Sequence, residues 1–306
     1  MITSPTVFIT GAGASWEYGF PLGRELVRQI VQGTAKGGDL RAELLRTDYI
    51  REGDIDAFSE RLRGSDPRSI DTFLEGNQPE MVEIGKAAIA LLILRAEHQC
   101  KREGRLFIGS ELLQDHWLGY VWDLMRSGST PENFANNQIS FVTFNYDRLI
   151  EYYFETVLQH TFGIRHEAAK TLQQSLRIVH LHGELGTPIF GQYQNQLQGL
   201  LVREAAKGIL VIHDQFATDD PNFRRARELL EPASIVCMLG FGYHPVNIER
   251  LKLGRYTVDA NKQVAGSTYL MGGAQVRVAQ KRLQRAFPSH PGLKAEQFLK
   301  EAVELV

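Results

Sequence analysis

The sequence predicts an α/β fold in which helices cover both faces of a doubly wound parallel sheet. Short apolar segments rich in β-branched residues recur along the chain, and helix-like segments lie between them. The first apolar segment runs directly into a glycine-rich turn at residues 11–15. Strands buried on both faces form continuous apolar runs, and their alternation with helices is typical of parallel sheets. These features together indicate the fold class.

The first predicted strand covers residues 6–10, and a predicted helix follows over residues 22–32. That helix places Leu22, Leu26 and Ile30 on one face. Further strands of the same apolar kind are predicted at residues 139–144, 176–181, 208–212, 234–241 and 267–271. Helical patterns lie at residues 147–159, 221–231, 247–253 and 274–286, and an amphipathic segment closes the chain at residues 293–306.

The segment at residues 33–135 differs from the rest of the chain because it has few convincing strands. Its helix-like patterns cover residues 39–46, 54–63, 70–75, 80–102 and 110–126. We therefore predict a sheet domain formed by residues 1–32 and 136–306, with a mostly helical inserted subdomain at residues 33–135. Apolar helical surface beyond the needs of one sheet also predicts a homo-oligomer, with the insertion or the C-terminal helix at its interface.

Composition and charge restrict the class of protein. Of the 306 residues, 43% are apolar and 23% are charged, which is typical of globular proteins. The formal net charge of −2 argues against a protein that binds long nucleic acids or anionic membranes. The longest apolar run, residues 87–94, is too short to cross a membrane, and the N-terminus lacks a secretory pattern. We expect a soluble, cytoplasmic protein.

The two cysteines, Cys100 and Cys237, supply neither a disulfide framework nor the four thiolates of a structural zinc site. Cys237 lies in an apolar run, so we interpret it as a buried core thiol. We expect no zinc module and no other bound metal.

Three polar segments at predicted strand ends are candidates for chemistry. The first is the glycine loop, where Gly11 and Gly13 would let backbone N–H groups approach a pyrophosphate. A full dinucleotide fingerprint has a further glycine where this chain has Trp16. A plain turn between a strand and a helix therefore explains the loop equally well.

The second candidate is the pair His180 and His182. Strand alternation puts both imidazoles on one face, which is the geometry of a metal-binding pair. A metallohydrolase needs further ligands, and His213-Asp214 is the one suggestive partner. We therefore do not favour a metal site here.

The third candidate covers residues 143–147, where a strand meets a helix. A role as helix cap is sufficient to explain Asp147. A tight turn is sufficient to explain Asn145, without any catalytic function. Taken alone, this segment favours a structural interpretation.

The three segments taken together, in their order along the chain, are more specific than each segment alone. Residues 11–24 follow the pattern GAGxSxxxGxPxxR, residues 143–147 follow TxNxD, and His182-Gly183 is an HG pair. This ordered set resembles the sirtuin family. The resemblance implies a Rossmann-like, sirtuin-type domain that binds NAD and cleaves the bond between nicotinamide and ribose.

The resemblance also implies roles for single residues. Asn145 would lie beside the nicotinamide ribose and His182 would be the catalytic histidine, so these two form the catalytic pair. Arg24 would belong to a loop that closes over the cofactor, and Asp147 would lie near the carboxamide. The implied cofactor-binding residues are Gly11, Ala12, Gly13, Ser15, Arg24, Thr143, Asp147 and Gly240.

These residue types suit cleavage of NAD. Nicotinamide leaves as a neutral group, and the ribose develops the character of an oxocarbenium cation. The amide of Asn145 orients a water or holds a ribose hydroxyl without adding charge. Histidine has an ordinary pKa of about 6.5 and accepts a proton near neutral pH.

Several departures from typical sirtuin deacylases change the expected reaction. The four-cysteine zinc module after the HG pair is absent, and Leu22-Gly23 replaces the Asp-Phe that precedes the arginine. Phe241-Gly242-Tyr243 stands where the family usually has a Thr-Ser pair. The long helical segment is more similar to the sirtuin-like NAD hydrolases of bacterial antiphage defence. Residues 69–74 resemble a stretch of their helical parts, although a simple helix start explains Asp71 equally well.

The resemblance therefore implies hydrolysis of NAD to nicotinamide and ADP-ribose by an NAD-depleting defence effector. A second protein, an ATPase or a sensor, would control this activity. The alternatives are NAD-dependent protein deacylation, ADP-ribosyl transfer, or a non-catalytic sensor of NAD or ADP-ribose. Consumption of NAD without an acylated peptide discriminates between them.

Overall fold

Five strands form the sheet: β1 (Thr6–Thr10), β2 (Ile139–Thr143), β3 (Arg177–His180), β4 (Ile235–Leu239) and β5 (Gln263–Gly266). The computed structural model describes residues 1–107, 115–186, 190–191, 199–211 and 220–305. The strands are all parallel and lie in the order β3-β2-β1-β4-β5. The chain crosses to the other side of β1 after β3, which creates a topological switch point between β1 and β4. The predicted α/β class with a parallel sheet is confirmed, and the strand order is compatible with a Rossmann-like fold.

Helices fill both sides of this sheet. In chain order they are α1 (Ala12–Trp16), α2 (Gly23–Gly33), α3 (Asp39–Leu45), α4 (Glu52–Ser65), α5 (Ile70–Leu74), α6 (Pro79–Arg102), α7 (Trp117–Arg126), α8 (Leu149–Phe162), α9 (His166–Gln173), α10 (Gly199–Lys207), α11 (Pro221–Leu230), α12 (Pro245–Arg250), α13 (Leu253–Thr257), α14 (Gly273–Leu283) and α15 (Ala295–Ala302). A short 3₁₀ helix covers Phe134–Asn136.

Alternation along the strands produces two apolar layers. Phe8, Phe141 and Cys237 lie in register on one face, where the rings of Phe8 and Phe141 stack with their centroids 5.6 Å apart. That face belongs to a buried cluster with side chains of α2, α6, α7 and α8. Ile9 and Met238 belong to the cluster on the other face, with α11, α12, α13 and α14. Cys237 is fully buried, so its interpretation as a core thiol is confirmed.

The helical segment at residues 33–135 shares its core with the sheet. The apolar run at residues 87–94 is buried in the middle of α6. The indole N–H of Trp117 on α7 donates to the carbonyl of Ala14 on α1, at 2.8 Å. One cluster of buried side chains is therefore continuous across both segments, and the division into a sheet domain and an inserted subdomain stays a prediction.

The closing helix α15 packs on its own chain. Phe298 and Leu299 are buried in the same cluster as the helical segment, and α15 contacts α7. The predicted homo-oligomer stays a prediction. Within the described ranges, no helix combines the length and the apolar character that crossing a bilayer requires.

Two predicted strands are wrong. At residues 208–211 the chain contributes a single antiparallel bridge, between Ile209 and Gly183, and Ile212 lies outside the described residues. The last described strand begins four residues before the predicted segment at 267–271 and ends immediately before it. In that segment Leu270 is 76% exposed and has a φ of +59°, because the chain turns there. Threonine and aromatic residues favour strands, but strand propensity depends on burial.

The helix predictions differ mainly at short elements. Helices α1, α9 and α10 have no counterpart in the prediction, and α13 shares only Leu253 with the helix predicted at residues 247–253. Helix α1 lies where the sequence indicates a glycine turn. The helix predicted at residues 110–126 begins at Trp117, because the His116 ring accepts from the N–H of Gly119 as an N-cap. Residues 110–114 lie outside the described residues.

Candidate active site

A cavity of about 530 Å³ lies at the carboxyl ends of β1, β2 and β4. This is the switch point, where doubly wound sheets bind their ligands. Its walls come from the turns after these strands, the segment after β3, and the helical segment at residues 68–75. Seven of the ten predicted site residues line it, namely Gly11, Ala12, Ser15, Arg24, Asn145, Asp147 and His182.

The glycines of the first loop pack this turn against the end of β4. The N–H of Gly11 donates to the carbonyl of Leu239 at 3.0 Å, and that of Gly13 donates to Gly240 at 3.2 Å. Gly240 has a φ of +56°, and a Cβ there would lie 2.0 Å from the backbone N of Ala14. Gly13 and Gly240 do not line the cavity. Two N–H groups expected to face a pyrophosphate thus donate to the last residue of β4 and to the residue after it. Cofactor contacts of Gly13 and Gly240 stay a prediction.

Asn145 is held in place by groups from two of the sequence motifs. Its backbone N–H donates to the buried hydroxyl of Thr143 at 3.1 Å. Its side-chain Nδ2 donates to the Gly11 carbonyl at 3.2 Å and to Ser15 Oγ at 2.9 Å. Thr143 therefore lies behind the cavity wall and positions Asn145. The Ser15 hydroxyl in turn hydrogen bonds to the carboxyl of Asp147.

Asp147 is both a cap of the following helix and a residue of the cavity wall, which are the two roles that the sequence suggests. Its Oδ1 accepts from the N–H of Leu149 at 3.3 Å, at the first residue of α8, and its side chain also lines the cavity. Burial raises the pKa of Asp147 to about 7, and Glu97 acts in the same direction, against Ser15 and His180. Near neutral pH this carboxyl group therefore both donates and accepts protons.

His182 lies in the cavity wall, and its two ring nitrogens have different surroundings. Its Nδ1 lies 3.6 Å from Oδ1 of Asp71, and among the described residues its buried Nε2 has no hydrogen-bond partner. The edge of the ring meets Phe144 at a centroid distance of 5.5 Å. Burial lowers the pKa of His182, and Arg250 adds to this effect, against Asp71 and Asp220. A neutral imidazole at neutral pH is able to accept a proton.

Gly183 fixes the backbone that carries His182. It has a φ of +71°, and a Cβ there would lie 2.0 Å from the carbonyl oxygen of Gly208. The N–H of Leu210 donates to the His182 carbonyl at 2.8 Å. The glycine of the HG pair is thus required by the close approach of a neighbouring segment.

His180 and His182 have different partners, so the predicted metal-binding pair is not formed. β3 ends at His180, whose Nδ1 donates to the Asn145 carbonyl at 2.9 Å and whose Nε2 contacts Glu151 at 2.8 Å. Burial opposes protonation of His180, but Glu151 and Glu184 raise its pKa to about 9. His180 therefore supports the backbone of Asn145 from behind.

One group in the described part of the chain has the spacing of a cation site. It joins His180 to Glu151 and Glu184, with the ligand atoms within 4.8 Å of one another. His182 does not belong to this group. The suggested partner His213-Asp214 lies outside the described residues.

A buried ion pair links the helical segment to the site and has no signal in the sequence. Glu97 on α6 is fully buried, and its carboxylate accepts from Arg148 Nε at 3.1 Å and Nη2 at 2.5 Å. Arg148 follows Asp147 directly and also donates to the Gly186 carbonyl at 2.9 Å. The pair thus connects α6 with the segments that carry Asp147 and His182.

Around the cavity lie the predicted residue Arg24 and several residues outside the predicted set. Arg24 is exposed at the rim, with Nη2 3.6 Å from Asp66. The aromatic walls are Phe144 and Phe241, whose ring centroids lie 5.2 Å apart. Further charged residues line the cavity, including Arg68, Asp71, Glu75 and Arg250. Asp71 lies in the stretch whose resemblance to defence proteins was noted above, and the others have no such signal.

Comparison with known proteins adds no identification. No protein-family model matches the chain, and no curated protein matches it. The features that bear on function are thus the strand order, the cavity at the switch point and the convergence of the three motif segments around it.

Proposed function

We propose that this protein is an NAD hydrolase that cleaves the nicotinamide–ribose bond to give nicotinamide and ADP-ribose. The observation that carries the proposal is that Asn145 and His182 line one cavity at the switch point, with the buried Nε2 of His182 unpartnered among the described residues. This is where a dinucleotide binds in a doubly wound sheet. The ordered motifs around the cavity agree with this chemistry.

The reaction needs little acid catalysis at the leaving group. Nicotinamide departs from a pyridinium as a neutral molecule, so the positive charge moves to the ribose. The buried amide of Asn145, fixed by Gly11 and Ser15, holds a ribose hydroxyl or the attacking water. A prepositioned group of this kind lowers the entropic part of the barrier.

His182 supplies the proton acceptor. As water attacks the anomeric carbon of the ribose, a C–O bond forms and one proton of the water moves to Nε2. The proton then passes to solvent, so the products are nicotinamide, ADP-ribose and one proton. The lowered pKa of His182 keeps the imidazole neutral before the attack. General base catalysis of this kind contributes about 10²- to 10⁴-fold to the rate.

We assign Asp147 to the carboxamide of nicotinamide. Its buried carboxyl group has a pKa raised to about 7, so the protonated form is able to donate to a carboxamide oxygen and the ionised form accepts from its NH₂. The cationic residues Arg24 and Arg68 at the cavity would attract the diphosphate. We extend the proposal to an NAD-depleting defence effector controlled by a partner protein.

The test uses purified protein and NAD in H₂¹⁸O without any acylated peptide. The proposal predicts equimolar nicotinamide and ADP-ribose, with one ¹⁸O atom at the anomeric carbon of the released ADP-ribose. Transfer of ADP-ribose to protein, without ¹⁸O at the anomeric carbon, would support a transferase instead. Binding of NAD with no turnover, also in the presence of candidate partner proteins, would support a sensor.

A further inference from the structure

The helical segment delivers one carboxylate to the cavity. Asp71 lies in the first turn of α5, a five-residue helix whose N-cap Ser69 accepts from the N–H of Thr72 at 3.3 Å. Ile70, Phe73 and Leu74 of the same helix are buried, which anchors α5 in the core. Asp71 is thus held rigidly at the cavity, with its side chain 30% exposed.

Two groups from the segments after β2 and β3 face the same oxygen of Asp71. The hydroxyl of Tyr146 donates to Oδ1, and Nδ1 of His182 lies 3.6 Å from that atom. Tyr146 is the residue after Asn145, so it fixes the carboxylate relative to the loop that carries the catalytic amide. The opposite ring nitrogen of His182, Nε2, is the atom without a partner among the described residues.

We propose that Asp71 is a positioning residue that accepts a hydrogen bond from Nδ1 of His182 and thereby presents the lone pair of Nε2 to the cavity. A separation of 3.6 Å is longer than a hydrogen bond. Hydrogen bonds of catalytic groups are often long without substrate and shorten in the complex. A carboxylate behind a histidine fixes both its ring orientation and its tautomer, as in hydrolytic triads.

The role of Asp71 in catalysis rests on the NAD hydrolysis proposed above, whereas its pairing with His182 does not. A proton moves from the attacking water to Nε2, while the proton on Nδ1 stays on the ring. Asp71 is not protonated and stabilises the imidazolium that forms. Within the described ranges, Asp71 on α5 is the carboxylate that lies beside Nδ1 of His182, so the helical segment contributes to the proposed catalytic site.

The charges that act on His182 come from three elements. They are Asp71 on α5, Arg250 on α12 and Asp220 at the start of α11. Asp71 and Asp220 favour the imidazolium, whereas Arg250 disfavours it. Replacement of Asp71 by asparagine removes one favourable charge, so the pKa of His182 falls.

The first experiment needs no NAD and therefore tests the inference separately from the function. Histidine resonances of the whole protein are titrated by NMR, and the His182 signal is identified by its absence from His182→Ala. We expect Asp71→Asn to lower the pKa of His182 by about 1. The matched control Asp54→Asn changes a carboxylate of the same segment that pairs with Arg51 away from the cavity, and it should leave the His182 pKa unchanged. An unchanged His182 pKa in a folded Asp71→Asn protein would overturn the inference.

A second variant protects the test against misfolding. Tyr146→Phe removes the competing donor to Asp71 and leaves its carboxylate to His182 alone. We expect the pKa of His182 to rise in this variant. If Asp71→Asn does not fold, an unchanged or lowered pKa in Tyr146→Phe overturns the inference.

The activity measurement then tests the catalytic part. Asp71→Asn should lower kcat by up to about 10⁴-fold with little change in KM, and should move the acidic limb of the pH–rate profile to lower pH. Asp71→Glu keeps the charge and should recover part of the loss. An unshifted pH profile in Asp71→Asn contradicts a positioning role. If the wild-type protein does not cleave NAD, the proposed function fails, while the NMR titration still decides the pairing of Asp71 with His182.

Discussion

The side-chain amide of Asn145 donates a hydrogen bond of 2.9 Å to the hydroxyl of Ser15, a residue 130 positions earlier in the chain. The same hydroxyl bonds to Asp147. Ser15 thus joins the amide that the proposal assigns to the ribose or the attacking water and the carboxyl group that it assigns to the carboxamide of nicotinamide. Several predictions about the site depend on this connection and on the groups that surround it.

Replacement of Asn145 by alanine should reduce NAD cleavage about 10²-fold or more, because the group that orients the reacting atoms is lost. The fold should be retained, since Asn145 lies in the turn after β2 at the cavity and its side chain makes polar contacts with Gly11 and Ser15. The rate of nicotinamide release and the melting temperature check both parts. An active Asn145→Ala protein would remove Asn145 from the mechanism.

Replacement of Ser15 by alanine should raise the pKa of Asp147 above about 7, because the hydroxyl hydrogen bond favours the ionised carboxylate. The limb of the pH–rate profile that reports Asp147 should move to higher pH. Ser129→Ala is a suitable control, since its hydroxyl bonds to Met125 outside the cavity. If this limb lies at the same pH in Ser15→Ala and in wild type, Ser15 does not act on the pKa of Asp147.

Asp147 should make the protein less stable as pH rises. Its pKa is raised from 3.8 to about 7 in the folded state, so between these values the folded protein binds more protons than the unfolded chain. Stability therefore falls with increasing pH across that window. Asp147→Asn should abolish this part of the pH dependence and increase the melting temperature at pH 8 more than at pH 4. Equal effects at both pH values would contradict the raised pKa.

His180 should add a second pH range, above that of Asp147, in which the stability of the protein falls as pH rises. Its pKa is raised from 6.5 to about 9, where Glu151 and Glu184 overcome the effect of burial. Its stabilising contribution is complete below pH 6.5 and is lost as pH rises through 9. In His180→Gln, denaturant unfolding between pH 6 and 9 should show a smaller loss of stability than in wild type. An unaltered pH dependence would mean that His180 is not protonated in the folded protein.

Arg148→Ala should destabilise the protein by about 3–5 kcal/mol, because it leaves the buried carboxylate of Glu97 without its cation. The double variant Glu97→Gln/Arg148→Met should recover much of this loss, since it buries no unpaired charge. Urea unfolding measures both free energies. A cost below 1 kcal/mol for Arg148→Ala would show that Glu97 is not dependent on this ion pair.

The sheet was largely predictable because its central strands are buried on both faces. β1, β2 and β4 are apolar runs whose every residue is buried, and a pattern of that kind requires only local sequence. β5 is a four-residue edge strand containing Gln263 and Gly266, so it carries little apolar signal. Its position depends on pairing with β4, which the local sequence does not contain.

The site was predictable where a motif holds its residues close together, and was missed where it depends on tertiary contacts. Ser15, Asn145 and His182 lie in the recognised segments and meet at the cavity. The pairing of Asp71 with His182 joins residues from α5 and the end of β3. The charge of Glu97 inside an apolar helix is explained by its ion pair with Arg148. The sequence does not specify either contact by spacing.

The most direct test of the central claim is the initial rate of nicotinamide release from NAD, without an acylated peptide, for wild type, His182→Ala and His180→Ala. We predict that a folded His182→Ala protein loses about 10²- to 10⁴-fold in rate, that His180→Ala loses much less, and that added divalent metal restores neither. Wild-type rates in a folded His182→Ala protein, or equal losses in both variants that metal reverses, would contradict the proposed mechanism.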